Sequence, residues 1–388
     1  MVFTKTEYLQ RLKLVKQGME RAEIEVLIVV DPANMNYLSG YDGWSFYQHQ
    51  ALIILIDQEE PICVVRGIDR NGARQTCFLK NENIIAYDDS YMHSREKHPM
   101  DFIVSILEDK KKTLSSFGLE MDSFYFTAKS FQILSKKMPN AKIRNGELIV
   151  NWVRAIKSSQ ELEYISQAAV LVQNAMQKAI DGIIPGVRQC DVAADIHSAY
   201  YRGTSDFGGT YPSIQPIIAS GEGTATAHLN WSDRTFKNNE ATILELGGCR
   251  HRYHCPMARS VYLGKPPNKI TNTEKVVIEA FNESLLVAKV GSLAEDVYLS
   301  FVKILKKNGL DKKSRLGYSA GLGYPPDWGE KTLSLRQGDK TVLKDNMTIH
   351  MIAGMWMDDW GFEVSEMFQV TQQGGKPFCD FPRKLFVK

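Results

Sequence analysis

The second half of the chain shows one order of predicted helices and strands twice, and this repetition leaves few possible folds. Apolar residues at helical spacing predict two helices, apolar runs then predict two strands, and the order recurs. The predicted elements are, in chain order, helices at about 158–181 and 189–202, strands at about 241–249 and 252–263, helices at about 271–289 and 294–308, and strands at about 347–353 and 361–371. Such an order predicts a pseudo-symmetric α+β domain: helices cover one face of an antiparallel sheet, and the other face carries a pocket.

The first half alternates single strands with helices instead. Buried strands are predicted at 26–30, 51–56, 62–65 and 84–87, and helices are predicted at 4–21, about 100–109 and about 127–137. This alternation favours an α/β domain with a central sheet. We therefore predict an α/β domain over residues 1–150 and the α+β domain over residues 151–388.

Composition and charge exclude several classes of function. The formal net charge of the 388 residues is +2, and no stripe of Lys and Arg argues for nucleic-acid binding. No apolar run approaches the roughly 20 residues that a membrane-spanning helix needs, and the charged segment Met1–Arg11 is unlike a signal peptide. The six cysteines include no CxxC pair, which favours buried free thiols in a reducing compartment. We expect a cytoplasmic protein with no nucleic-acid and no membrane partner.

Four polar residues interrupt the apolar strands of the second half: Glu245, His350, Glu363 and Glu366. Burying a polar side chain without a partner costs a few kcal/mol, so such residues need a reason. Each one alone can be an edge-strand or solvent-facing residue, but four on neighbouring core strands favour a polar pocket. Strand alternation places Glu363 and Ser365 on one face of the last strand and Glu366 on the other.

His228 lies in a loop rich in Gly and Thr, at 221–231, directly before those strands. An imidazole at the rim of a pocket suits proton transfer near neutral pH. A purely structural role in the loop is the alternative.

The segment from Trp152 to Thr371 resembles the pita-bread catalytic domain shared by prolidase, methionine aminopeptidase and creatinase. Arg154–Ser158 with Glu161 is similar to the opening motif of that domain. Asp31–Gly40 resembles a turn in the N-terminal domain of prolidases and creatinase. The resemblance implies a creatinase-like α/β N-terminal domain followed by a pita-bread catalytic domain.

The metal-dependent members of this family hold two divalent ions with two Asp, one His and two Glu. The resemblance aligns these ligand positions with Glu245, Pro256, Tyr318, Ile352 and Ser365. Pro and Ile carry no donor atom for a divalent ion, and the one remaining carboxylate cannot hold two ions. The resemblance therefore implies a member of the family without a metal site, and we expect no cofactor.

Creatinase shows that this fold can hydrolyse C–N bonds without a metal, with a His that aligns with His228. Its two catalytic Glu positions align with Ala258 and Ile352, which argues against creatine as the substrate. Segments 31–47, 251–259 and 355–361 resemble the ectoine hydrolases, the ring-opening members of the metal-free group.

That resemblance implies a small zwitterionic substrate, a cyclic amidinium with a carboxylate, as in ectoine or hydroxyectoine. Aromatic rings together with a carboxylate bind a delocalised cation well. The residues expected to contact the substrate are Trp44, Phe46, Tyr47, Tyr318, Trp328, His350 and Trp356.

The expected mechanism is attack on the amidine carbon by Glu245 or by a water molecule that Glu245 activates. His228 then protonates the departing ring nitrogen, and Glu363 pairs with the amidinium or orients His228. Glu366 is a weaker candidate for these roles. The expected product is an N-acetylated diaminobutyrate.

The resemblance to creatinase-like dimers implies a homodimer in which residues 44–47 reach the pocket of the partner subunit. Three other functions stay open at this stage. They are hydrolysis of another amidine, guanidino or amide zwitterion, a metal-dependent Xaa-Pro peptidase, and a non-enzymatic protein that binds ligands after loss of the metal.

Overall fold

The structure is a computed structural model that describes residues 1–388, and the chain divides into two units, Met1–Arg154 and Ala155–Lys388. The division falls close to the predicted boundary after residue 150. None of the helices is long and apolar enough to cross a lipid bilayer.

The first unit is built on a mixed sheet of six strands in the order β4-β3-β2-β1-β5-β6. The strands are β1 (Val26–Val29), β2 (Ala51–Leu55), β3 (Ile62–Arg66), β4 (Ile84–Tyr87), β5 (Ser116–Leu119) and β6 (Lys142–Asn145). The three central strands β1, β2 and β5 are buried throughout. This is why β1 and β2 read as unbroken apolar runs, whereas β5 begins with Ser116 and contains Gly118 and was not predicted. β1 pairs antiparallel with β2 and parallel with β5.

The helices of the first unit are α1 (Lys5–Arg21), α2 (Pro32–Ser39), α3 (Arg70–Thr76), α4 (Pro99–Asp109), α5 (Ala128–Lys137) and α6 (Ile149–Arg154). The expectation of a turn at Asp31–Gly40 is wrong, because the middle of this segment is helix α2. The Asp31 carboxylate accepts from the backbone N–H groups of Ala33 and Asn34 and so caps the helix. Gly40 ends it in the left-handed conformation, with φ of 81°.

The second unit has a sheet of nine strands against which its helices pack. The helices are α7 (Ser159–Gly182), α8 (Gln189–Arg202), α9 (Asn268–Val287) and α10 (Ala294–Lys307). The strands are β7 (Ile217–Ser220), β8 (Ala241–Arg250), β9 (Tyr253–Tyr262), β10 (Gly317–Tyr324), β11 (Asp327–Leu335), β12 (Thr348–Trp356), β13 (Gly361–Val370), β14 (Gly375–Pro377) and β15 (Phe386–Val387). The main path runs β11-β10-β12-β13-β9-β8-β7, and all its pairings are antiparallel.

The two faces of this sheet differ in chemistry. On β12 and β13, Ile349, Met351, Phe362 and Val364 belong to the apolar core that α9 and α10 complete. The residues between them in the sequence, His350 and Glu363, point the other way, and both are polar. We call this second side, which carries Glu245 and Glu363, the pocket face.

The predicted helix–helix–strand–strand order is present twice, but the second copy contains a hairpin that the sequence analysis missed. Strands β10 and β11 lie between α10 and β12. Gly317, Gly321 and Gly323 dilute the β-forming residues of β10, so its sequence does not show the usual alternation. This hairpin brings Tyr318 and Trp328 to the sheet.

Candidate active site

The pairing of β8, β9, β13 and β12 builds the floor of the site. Glu245 lies opposite Ala258, Ala258 opposite Ser365, and Ser365 opposite Ile352. These four residues therefore share the pocket face. Glu363 is the next residue along β13 on the same face, so the two carboxylates belong to one surface.

Glu245 is a buried carboxylate, 8% exposed, and no side chain hydrogen-bonds to it. Burial raises its pKa well above the usual value, and the negative charges of Glu363 and Asp327 raise it further. In the free protein this carboxyl group therefore favours its protonated form.

Glu363 is buried more deeply, at 1% exposure, and its Oε1 atom has no hydrogen-bond partner. Its backbone is fixed instead: the backbone N–H donates to Ser260 Oγ at 2.9 Å, and the Ser260 hydroxyl donates back to the Glu363 carbonyl at 2.9 Å. Burial raises the pKa of Glu363 to about 7, although the positive charge of Lys312 counteracts the effect. The carboxyl group is thus poised near neutral pH.

His350 is completely buried beneath the pocket, and its Nε2 lies 2.8 Å from Ser365 Oγ. Its Nδ1 has no partner. Burial lowers its pKa to about 3, and the charge of Arg315 lowers it further, so the ring is neutral. The site thus contains a neutral imidazole. It lies close to two aromatic rings of the β10–β11 hairpin, with centroid distances of 5.7 Å to Tyr318 and 6.1 Å to Trp328.

Trp328 has a different place from the one predicted. Its side chain is 1% exposed, and the indole N–H donates to Tyr318 Oη at 3.1 Å. A Cβ atom on Gly247 would lie 2.6 Å from the indole, so the ring packs directly against the Gly247 backbone. Trp328 is enclosed and supports Tyr318, and it offers no free ring face to a substrate.

Tyr318 and Trp356 are half-buried, and each already has a cation from the protein against its ring. The Arg315 guanidinium lies 4.2 Å from the Tyr318 centroid, and the Lys312 ammonium lies 4.8 Å from the Trp356 centroid. The predicted aromatic box for a substrate cation is therefore partly occupied by Arg315 and Lys312. Trp356 Nε1 is buried without an acceptor, so this indole has an N–H to offer a ligand.

His228 lies in a turn after the short helical segment Gly221–Ala225, and its side chain is exposed. No hydrogen bond joins it to Glu245 or Glu363. The loop itself is tied to the pocket strand, because the backbone N–H of Gly361 donates to Thr224 Oγ1 at 2.9 Å. The structure thus anchors the predicted loop to β13, while the role of the imidazole as an acid stays a prediction.

The predicted aromatic residues 44–47 belong to the first unit. Trp44 and Tyr47 are exposed, at 59% and 65%, whereas Phe46 is buried and packs edge-on against Trp44 and Tyr125. Their contribution to a pocket, and the homodimer it requires, stay predictions.

Glu366 lies on the opposite side of β13, as strand alternation predicts. The Arg259 guanidinium donates to its Oε1, and Arg383 Nη1 lies 3.6 Å from its Oε2. This carboxylate is closed off by a buried ion pair and does not face the pocket.

The donor set does not fit the metal ions of the family. Among the residues aligned with ligand positions, Glu245 supplies the only carboxylate, and Pro256 and Ile352 supply no donor at all. No group of three or more His, Cys, Asp or Glu side chains is placed so as to hold a metal ion.

Two charged residues of the site had no signal in the sequence. Lys312 lies in the run Asp311–Arg315, which reads as an ordinary solvated loop, yet it is 3% exposed. Asp327 opens β11, and its carboxylate accepts from the backbone N–H of Gly329 at 2.9 Å. The missed hairpin carries Asp327, and the hydrogen bond to the Gly354 carbonyl holds Lys312.

An α/β unit followed by a sheet with a polar pocket face is the architecture of the creatinase and prolidase class. Residues 11–156 match the creatinase/prolidase N-terminal domain, and residues 163–372 match metallopeptidase family M24. The chain belongs to metallopeptidase family M24, which confirms the predicted fold class and the predicted family resemblance.

Relatives of known name extend over nearly the whole chain. Ectoine hydrolase of Halomonas elongata is 40% identical, over 100% of this chain and 98% of its own length. An uncharacterized hydrolase/peptidase of Sinorhizobium fredii is 41% identical, with the same coverage. The solved structure of a prolidase from Thermococcus sibiricus has a TM-score of 0.86 at 18% identity, covering 99% of this chain and 100% of that one. That likeness shows the shared fold.

Proposed function

We propose that this protein hydrolyses a C–N bond of a cyclic amidine zwitterion, with ectoine as the first substrate to test. The observation that carries the proposal is the pair of buried carboxylates Glu245 and Glu363, which share one pocket face and have no ion-pair partner in contact. The 40% identity to an ectoine hydrolase over the whole chain supports the choice of substrate.

The pair fits a cationic ligand with N–H groups. A buried carboxylate without a partner is costly, and an amidinium can neutralise it while donating hydrogen bonds to it. Glu363 Oε1 is such an open acceptor. The Trp356 N–H is an open donor on the same face, and it suits the carboxylate group of a zwitterion. The pocket face thus offers a hydrogen-bond acceptor, Glu363 Oε1, to the amidinium group of the ligand and a donor, Trp356 Nε1, to its carboxylate.

The chemistry needs one base and one acid. The oxygen of a water molecule bonds to the amidine carbon while a carboxylate takes the proton of the water. One ring C–N bond then breaks as the new hydroxyl group loses its proton and becomes the amide C=O. The electron pair of the broken bond stays on nitrogen, which receives one proton from a carboxylic acid and ends with both protons of the water. The water supplies the oxygen of the new amide and two hydrogens of the new amine. Because the bond that breaks is part of a ring, the only product is an N-acetylated diaminobutyrate.

This proposal keeps Glu245 and Glu363 in the predicted catalytic set. His228 remains a candidate acid, on a loop that Thr224 ties to β13. The proposal also includes metal independence, a homodimer and a cytoplasmic location. Sedimentation of the purified protein tests the homodimer.

The proposal is tested by incubating the protein with ectoine, hydroxyectoine, creatine and an Xaa-Pro dipeptide and identifying products by NMR. Ring opening of ectoine to an acetylated diaminobutyrate, lost in Glu363→Gln, is the expected result. The matched control is Glu366→Gln at a temperature where it is folded, because its carboxylate points away from the pocket. Turnover of only the dipeptide, or no turnover of any cyclic amidine, would refute the assignment.

A further inference from the structure

We propose that Lys312 is a positioning residue of this site, whose ammonium group favours the ionised form of Glu363 and thereby leaves Glu245 as the proton-carrying member of the pair. The catalytic meaning of this assignment rests on the proposed function, whereas the charge assignment itself can be tested without substrate.

The position of Lys312 is fixed by hydrogen bonds. Its Nζ donates to the Gly354 carbonyl at 2.7 Å and to Ser314 Oγ at 3.0 Å. Gly354 is the residue directly opposite Glu363 in the pairing of β12 with β13. The ammonium is thus bound to the strand residue that faces Glu363.

The packing around Gly354 leaves this ammonium little freedom. A Cβ on Gly354 would lie 2.4 Å from the Trp356 ring, so the indole covers the bare backbone there. The Lys312 ammonium lies against the same indole, 4.8 Å from its centroid. Lys312 is therefore enclosed by Trp356, Gly354 and Ser314. The negative charge that acts on its ammonium group is that of Glu363.

Lys312 differs from the other buried lysine of this unit. Lys157 makes a direct ion pair with Glu330 at 2.8 Å, with both side chains fully buried. Lys312 has no carboxylate within ion-pair distance, and its charge acts on Glu363 through space. Burial lowers the pKa of Lys312 to about 8, while Glu363 counteracts this shift. The residue is therefore a cation at neutral pH.

The other charges around the pair favour the opposite state for Glu245. Glu245 experiences the negative charges of Glu363 and Asp327, and no cation counteracts them. The positive charge of Arg315 lowers the pKa values of Tyr318 and His350, and it is not among the charges that shift the pKa of Glu245.

The two buried histidines of this unit add no charge. His350 and His254 are buried and neutral, each with a pKa lowered by burial to about 3. His228 is exposed in its loop.

This asymmetry divides the acid and base roles between two chemically identical groups. A carboxylate beside a cation stays ionised, and a carboxyl group beside other carboxylates keeps its proton. Glu363 is then the group that accepts the proton of the attacking water, and Glu245 is the group that protonates the leaving nitrogen. This reverses the expectation that Glu245 acts as the nucleophile or base.

Infrared difference titration of the unligated protein tests the inference directly. The signals of the two carboxyl groups are identified by their loss in Glu245→Gln and Glu363→Gln. Lys312→Met should raise the titration midpoint of Glu363 by at least about one pH unit, the size expected when a nearby opposite charge is removed. Lys312→Gln keeps a donor for the Gly354 carbonyl and should give the same rise, so it replaces the Met variant if that one is unstable. Lys312→Arg keeps the charge and should leave the midpoint close to that of the wild type.

Lys269→Met is the matched control. Lys269 also lies against a tryptophan, 5.3 Å from the Trp360 centroid, but it is paired with the exposed Asp359. Its removal should leave the Glu363 midpoint unchanged. A midpoint that does not move in either neutral Lys312 variant would overturn the inference, and so would a Glu245 signal that titrates below that of Glu363. If the midpoint moves but ectoine is not hydrolysed, the substrate proposal fails and the role of Lys312 stands.

Discussion

Glu363 and Glu366 lie on the same strand at the same depth, each 1% exposed, but on opposite faces of the sheet. Glu366 is held by Arg259 and lies close to Arg383. Glu363 has an oxygen atom without any partner, and its nearest cation, Lys312, is not in contact with it. Both carboxylates have one oxygen without a hydrogen bond, Glu363 Oε1 and Glu366 Oε2, but only Glu366 has cations within ion-pair distance.

This difference separates two reasons for burying charge. A buried ion pair is locally self-sufficient, and breaking it destabilises the fold because one charge is left alone. An unpaired buried carboxylate weakens the free protein and is retained where a ligand completes it. The helix-covered face therefore serves the fold, and the pocket face serves the ligand.

The largest effects should come from replacing Glu363 and Glu366, one at a time, by Gln. Glu363→Gln should lower turnover by at least roughly 10²–10⁴-fold, because it removes a base at the reacting atoms. Glu366→Gln should instead lower the free energy of unfolding by about 3–5 kcal/mol, because Arg259 is left buried without its anion. Kinetics and denaturant unfolding of both variants measure this. If Glu366→Gln lost activity while keeping full stability, the two faces would not differ in the way described.

Glu245→Gln should lower turnover and at the same time stabilise the free protein. The folded pKa of Glu245 lies above its usual value, so its contribution to stability is lost as the pH rises through that folded pKa. Gln cannot ionise, so the melting temperature of the variant should exceed that of the wild type, and by more at about pH 9 than at about pH 5. Scanning calorimetry at the two pH values checks this. A variant less stable than the wild type at alkaline pH would show that the Glu245 carboxylate is satisfied within the fold.

A smaller effect is expected for the open donor on the pocket face. Trp356→Phe removes the unpaired N–H and keeps most of the ring, so substrate affinity should fall by about tenfold, the value of one hydrogen bond to a charged group. Trp360→Phe is the matched control, since Trp360 also carries a lysine against its ring. Calorimetric titration of each variant, in a Glu363→Asp background if turnover interferes, measures the affinity. Equal losses in both variants would remove the special role of the Trp356 N–H.

The sequence predicted most of the architecture because the periodic segments are long. Helix α8 has the predicted bounds, and the strands that carry Glu245 and Glu363 were placed within a few residues. Alternation on β13 also separated Glu363 from Glu366 correctly. These results follow from local patterns, which a single sequence contains.

The missed parts of the site depend on contacts between distant segments. The β10–β11 hairpin is rich in glycine, and without it neither the enclosed position of Trp328 nor the place of Asp327 could be predicted. Lys312 lies in a charged loop, and it is buried because its ammonium group donates to the carbonyl of Gly354, a residue distant in the sequence. Pairing across the sheet, and not local composition, decides which charges meet in the pocket.

The central claim about this site is that the carboxylate pair performs the hydrolysis without a metal ion. The most direct measurement is ectoine turnover and metal content of the same sample before and after dialysis against a strong chelator, with Glu245→Gln as the inactive reference. Turnover should be unchanged by the chelator, no divalent ion should be present in stoichiometric amount, and added Mn²⁺ or Zn²⁺ should not increase the rate. Two tightly bound ions per chain, with activity that is lost on their removal and restored on their return, would contradict the account.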